Sequence, residues 1–449
     1  MASTDRGSGP LVERWLAVPV AIGFAYSLIF LGLHGYLPPP YFYEPSGTFM
    51  DFSAPATFAY QGGAYESFQT IYPPLSFVLL KLVSWGPCYA FNPSEEARNC
   101  DTYGIAWLFL IYLINTLLIW LSFRKLDRST AAPRTLALCA GLSMTYALER
   151  GNVLLFCFTC LILAYGPLVR SARLRWIFAG LAVNFKVYLI GTIFAQLLRH
   201  RWRWFEGALV ASIFIYLITF AIYGEGTPRQ IYDNVTAYAG AFQQASLLEF
   251  WYPSSLQPIR LLLQGDTQFP VLTALGSTTI AIATLVVRSL ILATTISILV
   301  AAAASWWRPA VVPMHRLILL SIGIAVINSE AGGYTQMILI FFVFMERWRG
   351  VGRVTAIVFA YILCIALDFP IERVPPVVRD SYLGGRFVIA EYSVGIGTLL
   401  RPVLIHLMLL SLALVTLRDV WVDARRNGWR SPLPWRNRAG QVAPAVEGQ

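Results

Sequence analysis

Residues 15–33 read WLAVPVAIGFAYSLIFLGL. The run contains no charge and is about as long as a bilayer crossing, which takes roughly 20 apolar residues. It is too long and too aromatic for a signal-peptide core, and no small-x-small cleavage site follows it. We therefore expect a retained membrane anchor. The rest of the chain repeats the theme. Of 449 residues, 57% are hydrophobic and only 13% are Asp, Glu, Lys or Arg, about half the charged share of an ordinary soluble protein. That composition excludes a disordered chain and argues against a water-soluble enzyme. Further apolar runs fall near 103–123, 134–148, 152–169, 204–223, 280–305, 315–328, 335–346, 354–369 and 399–417. The expected fold class is an all-α polytopic membrane protein, a bundle of about 10–12 membrane helices by this count of runs.

The net charge of +10 has a topological meaning in such a chain. Lys and Arg collect in cytoplasmic loops, so the excess does not imply a nucleic-acid partner. Basic clusters appear at every second boundary: Arg124, Lys125, Arg128 and Arg134; Arg170, Arg173 and Arg175; Arg199, Arg201 and Arg203; Arg308 and Arg316; Arg347, Arg349 and Arg353. With Arg6 and Arg14 at one end and Arg418 to Arg438 at the other, they put both termini in the cytoplasm. The expected organisation is a cytoplasmic segment 1–14, one membrane domain 15–417, and a basic, disordered tail 418–449. Three large external loops follow, 35–102, 224–275 and 370–398, the first bearing amphipathic helices. The external side holds most of the acids, among them Asp51, Glu249 and Asp266 in these loops and Glu330 in a separate turn.

One segment breaks the alternation. Residues 176–198 begin and end beside cytoplasmic arginines, with Lys186 between. A single span cannot return to its own side, so we expect two short helices meeting near Lys186. Irregular backbone at membrane depth is tolerated where it is buried in protein or lines a wet cavity, and an intramembrane lysine is a functional-site candidate.

Soluble-enzyme motifs are absent, and the four histidines show no ligand spacing; no metal site and no cofactor are expected. The candidates are carboxylates and cations on the external side. Asp51 either favours the N-terminus of its own helix or acts as a general base. Arg150, in the turn Glu149-Arg150-Gly151-Asn152, is either a solvated connector or a phosphate ligand. Glu330 and Tyr334 belong either to a Gly-rich hairpin or to a substrate site. Arg373, Arg379, Arg386 and Arg401 either pair with Glu372 and Asp380 or form a patch for an anionic head group. Arg288 lies within an apolar run and needs a partner. Cys88 and Cys100 flank one external loop and can form a structural disulfide; free thiols are the alternative. Asn234-Val235-Thr236 is a glycosylation sequon.

Four stretches carry a family resemblance: MDFSAPATFAYQGGAYESF at 50–68, Tyr-Pro-Pro-Leu at 72–75, Arg-Gly-Asn-Val at 150–153 and AGLAVNFK at 179–186. Their order resembles that of GT-C membrane glycosyltransferases, and within them the bacterial polyprenol-phosphate-mannose-dependent α-mannosyltransferases. The resemblance implies a GT-C-like bundle in the plasma membrane, with its active site on the external side. It implies Asp51 as catalytic base and Arg150 and Lys186 near the donor phosphate; Arg379, from the positive patch of the last external loop, is a third candidate for that phosphate. Tyr72, Asn152, Glu330 and Tyr334 would line the substrate. The implied partners are a polyprenyl-phosphate sugar donor, a lipid or glycan acceptor and membrane lipids, for a chain working as a monomer. Relatives often carry a histidine in the turn at 328–334, where this chain has Glu330 and Tyr334. A transporter or flippase of a lipid-linked sugar is the alternative; it would more naturally show inverted repeats, and none is visible.

Overall fold

The computed structural model describes residues 9–41, 44–241, 252–264 and 276–429. The chain starts with α1 (Gly9–His34), followed by four short helices, α2 (Met50–Gln61), α3 (Pro74–Val83), α4 (Gly86–Tyr89) and α5 (Ser94–Cys100). Next come α6 (Thr102–Leu126), α7 (Ala131–Cys139), α8 (Leu142–Arg150), α9 (Leu154–Tyr165), α10 (Ala172–Phe185) and α11 (Ile190–Leu197). Then follow α12 (Trp202–Tyr223), α13 (Pro228–Ala241), α14 (Gln257–Gln264), α15 (Ser277–Trp307), α16 (Met314–Asn328), α17 (Gln336–Val343) and α18 (Val351–Leu363). Strands β1 (Pro370–Ser381) and β2 (Arg386–Gly395) precede the last helix, α19 (Ile396–Asn427).

Among the described residues, five helices are long and apolar enough to cross a membrane: α1, α6, α12, α15 and α19. This is a mostly helical, multi-pass membrane architecture. Four of the five expose large apolar side chains along their lengths, such as Trp15 and Ile29 on α1 and Val210 and Phe214 on α12. Such surfaces suit lipid better than water. The shorter apolar helices are buried instead. Every residue of α17 and nearly every residue of α9 is inside. A helix wrapped by protein has no need to match the thickness of the bilayer, which explains why several apolar runs are too short for a span.

The two short helices expected around Lys186 are present. Lys186 itself leaves the helical region, with φ −143° and ψ 107°. Trp176 of α10 packs on Gly207 and Asn184 donates to Ser212 O, so α10 runs parallel to α12. Phe194 of α11 then meets Phe205 of the same helix, so α11 runs back. The chain therefore reverses at Lys186.

At the end of the bundle that carries Glu13, charged residues are buried in pairs. Arg134 reaches both oxygens of Glu13 at 2.6 and 2.7 Å, and the Tyr361 hydroxyl donates to the same carboxylate. Arg316 makes a bidentate contact with Glu346 at 2.6 and 2.7 Å, and Asp419 bridges Arg316 and Arg353. The pairs tie α1, α7, α16, α18 and α19 together. Burial raises the Glu346 carboxyl, but hydrogen bonds from His315 and Arg316 and their charges outweigh it and hold the group well below the usual carboxylate range.

Two expectations are corrected here. Residues 370–398 are not a plain loop: β1 and β2 form an antiparallel hairpin, the one departure from an all-α chain among the described residues. Val388, Ala390 and Val394 face inward, while Phe387 and Ile389 face out, the period-two pattern of a half-buried strand. The hairpin's turn sits against Gly35, just past α1. The helix expected to end at 417 continues to Asn427, so Arg418, Arg425 and Arg426 are helical rather than part of a disordered tail. The tail from 430, Glu249 and Asp266 lie outside the described residues, as do the side chains of Glu372, Arg373 and Arg386.

Candidate active site

The site is built around one glycine. Helix α8 ends at Arg150, and Gly151 caps it at φ 67°. A Cβ there would lie 3.0 Å from Phe52 Cβ and 3.1 Å from the Phe49 Cα. Glycine is needed for both the sign of φ and the close approach of two backbones. On the other side, Phe49 turns the chain at φ 60°, its N–H donates to Glu149 O at 2.8 Å, and α2 begins at Met50. The start of α2 is thereby held against the end of α8, and the residues flanking Gly151 both reach Asp51.

Arg150 Nη2 donates to Asp51 Oδ1 at 2.6 Å, and Nη1 donates to Gly47 O at 2.6 Å. Asn152 Nδ2 donates to Asp51 Oδ2 at 2.8 Å and lies 3.5 Å from the Tyr72 hydroxyl. The Asn152 carbonyl oxygen accepts the Leu154 N–H, which turns the amide's donor end toward Asp51. Each Asp51 oxygen thus has one partner and retains a further acceptor site. The carboxylate keeps about a fifth of its surface accessible.

Asp51 lines a cavity of about 830 Å³ together with Tyr72, Arg150, Lys186, Glu330 and Tyr334. Lys186 Nζ lies 4.2 Å from the centre of the Tyr72 ring and 5.9 Å from that of Tyr334, a cation–π arrangement. Among the described residues it has no carboxylate at ion-pair distance. Burial, then the Asp51 charge, pushes the Tyr72 phenol up, so the hydroxyl stays neutral and can both donate and accept. Glu149, next to Arg150 in sequence, is buried and does not line the cavity. Burial is the largest influence on its carboxyl; Arg150 opposes it, Asp51 adds to it, and the group is pushed up to about 8.

The structure brings together Asp51, Tyr72, Arg150, Lys186, Glu330 and Tyr334, with Asn152 fully buried behind them. Two placements change the roles expected from sequence. Arg150 lies at the cavity wall, but its guanidinium already holds Asp51 and Gly47, so it orients the carboxylate. Glu330 is held by five hydrogen bonds: from Ser254 N and Oγ, Ser255 N and Oγ, and Gly332 N. Arg379 is elsewhere, paired with Glu44 at 2.8 Å on the hairpin, and does not line the cavity. Arg401 is buried against Asp368. Cys88 and Cys100 form a disulfide. The Asn234 amide donates to Tyr65 O and Thr70 O, so it is engaged in the fold.

Sequence reasoning passed over Tyr238 and Arg260, which also line the cavity. Arg260 had a faint signal, one of two cations in an external loop that also holds four acids. Arg288 is exposed on α15, one helical turn before the cavity-lining Ile291. Among the described residues no three His, Cys, Asp or Glu side chains cluster as metal ligands. What the arrangement offers is a partly exposed carboxylate, a neutral phenol and a lysine lining one cavity. Comparison with known proteins adds no relative: no family model, curated protein or solved structure matches the chain.

Proposed function

We propose that the chain is a membrane glycosyltransferase of the GT-C kind, moving a hexose (mannose is favoured) from a polyprenyl-phosphate sugar to a hydroxyl of a lipid or glycan. The membrane is the plasma membrane, with both termini in the cytoplasm and the cavity opening to the outer side. The observation that supports this reading is the shared cavity: Asp51 and Lys186, far apart in sequence, line the same space beside Tyr72.

In this scheme the acceptor hydroxyl enters beside Asp51. Its oxygen attacks the anomeric carbon, its proton passes to the Asp51 carboxylate, and the bond from the anomeric carbon to the phosphate oxygen breaks. In-line attack inverts the anomeric centre. The departing lipid phosphate changes from a singly charged diester to a doubly charged monoester. A fixed positive charge at that place stabilises the transition state more than the ground state, and Lys186 supplies it. Arg150 and Asn152 keep Asp51 in one orientation, which lowers the entropic cost of attack.

The test is transfer of label from radiolabelled polyprenyl-phosphate mannose, with purified protein in detergent and a total lipid extract as acceptor. Asp51→Asn preserves shape and should abolish transfer while leaving the melting temperature within a few degrees. Full activity in that variant would remove Asp51 from the mechanism. No transfer by the wild type, together with flipping of the same lipid in liposomes, would replace the transferase by a transporter.

A further inference from the structure

Glu330 cannot serve the cavity as a free carboxylate. Its five donors exhaust the roughly four lone-pair sites of the group. What those bonds do is clasp the turn at Ser254-Ser255 to the segment that follows α16. The same turn is held from a second side: Tyr252 OH donates to Gln336 Oε1, and Gln336 Nε2 donates to Pro253 O, both at 3.1 Å. The turn leads directly into α14, and Arg260 lies in the first turn of that helix, on the cavity wall.

The charges around the cavity are then unequal in kind. The Asp51 charge is matched by Arg150 at 2.6 Å. The Glu330 charge is absorbed by N–H and O–H dipoles. Among the described residues, neither Lys186 nor Arg260 has a carboxylate at ion-pair distance, and Arg260 is exposed. Among the described residues two cations of one cavity are thus left without a fixed anion, and a leaving phosphate that gains a second negative charge is stabilised by two. An arginine fork meets two phosphate oxygens at once, where a lysine offers a point charge.

We propose that Arg260 is a second cationic contact for the phosphate of the ligand, beside Lys186, and that Glu330 is the positioning residue that holds Arg260 at the cavity. This deepens the transferase reading and rests on it. Arg260 touches ligand; Glu330 acts only through the turn.

The experiment is calorimetric titration of the purified full-length chain in detergent with a polyprenyl phosphate lacking sugar, and separately with inorganic phosphate. Arg260→Gln should weaken binding of the lipid about tenfold or more, the worth of one charge-assisted hydrogen bond, and Arg260→Lys should recover part of it. Glu330→Gln should weaken binding to a similar degree although the arginine is intact. Placed in the Arg260→Gln background, Glu330→Gln should add little, whereas a general loss of structure would weaken binding further. Wild-type binding with an unchanged Arg260→Gln overturns this inference and leaves the transferase reading in place. A wild type that binds neither form of phosphate overturns both. Equal affinity for inorganic phosphate, lost in Arg260→Gln, supports the contact and overturns the lipid donor.

Discussion

Glu149→Gln should make the protein more stable at pH 8 and leave it unchanged near pH 4. Glu149 is buried beside Phe49 and Arg150. Thr48 Oγ1 approaches one of its oxygens at only 3.4 Å, and the other has no partner. The folded state therefore prefers the protonated acid, with its pKa raised from 4.5 to about 8. For a raised pKa, the folded state binds the proton that the unfolded chain has already released. Stability from this group is complete below pH 4.5, falls through the interval to about 8, and is level above it. At roughly 1.4 kcal/mol per pH unit, the whole interval amounts to at most about 5 kcal/mol. Glutamine is the neutral isostere of the protonated acid, and its amide meets the same bare surroundings, so the variant should lack the decline. The assay is thermal unfolding of wild type and Glu149→Gln in one detergent at pH 5, 6, 7 and 8. The wild-type melting temperature should fall with pH and the variant's should fall less, with the gap widest at pH 8. Parallel curves would refute the argument, because they would mean that Glu149 is ionised and accommodated in the fold.

The opposite sign is expected at the other end of the bundle. Glu346 has a lowered pKa, so its contribution is present above pH 4.5 and is lost as the pH falls through its folded value. Glu346→Gln should cost about 3–5 kcal/mol at pH 7, the usual loss when one partner of a buried pair is removed, and the gap to wild type should close on acidification. Gly151→Ala should cost about 1–2 kcal/mol for the left-handed backbone alone; because it also pushes on Phe52 and Phe49, transfer activity should fall more steeply than melting temperature. Cys88→Ser with Cys100→Ser opens a link spanning 12 residues and should cost about 3 kcal/mol, read as a lower melting temperature that reducing agent does not lower further.

Charge and apolar runs were legible because each is a local property. The membrane character follows from composition, the anchor at 15–33 from one uninterrupted run, and the break at Lys186 from two basic clusters that both belong to the cytoplasmic side. The hairpin was missed since residues 370–395 mix prolines, charges and β-branched residues, and pairing across the turn, rather than any one strand, stabilises it. The arginines show the same limit. Arg134, Arg316 and Arg353 read as loop charges, and their partners Glu13, Glu346 and Asp419 come from other segments of the chain.

For the site, the sequence by itself determined which residue types were available: an acid at 51, a turn with glycine at 151, a lysine at 186. Only the tertiary structure decided what each is free to do. Arg150 and Glu330 look equivalent to Lys186 and Asp51 as isolated charges, yet Arg150 is already bonded to Asp51 and Gly47, and the Glu330 carboxylate is filled by Ser254, Ser255 and Gly332. Arg260 drew no notice in its loop and reaches the cavity because a clasp some 70 residues further along holds it there. The reason is physical: whether a charged group can act depends on which partners satisfy it, and those partners are brought close by packing, not by order along the chain.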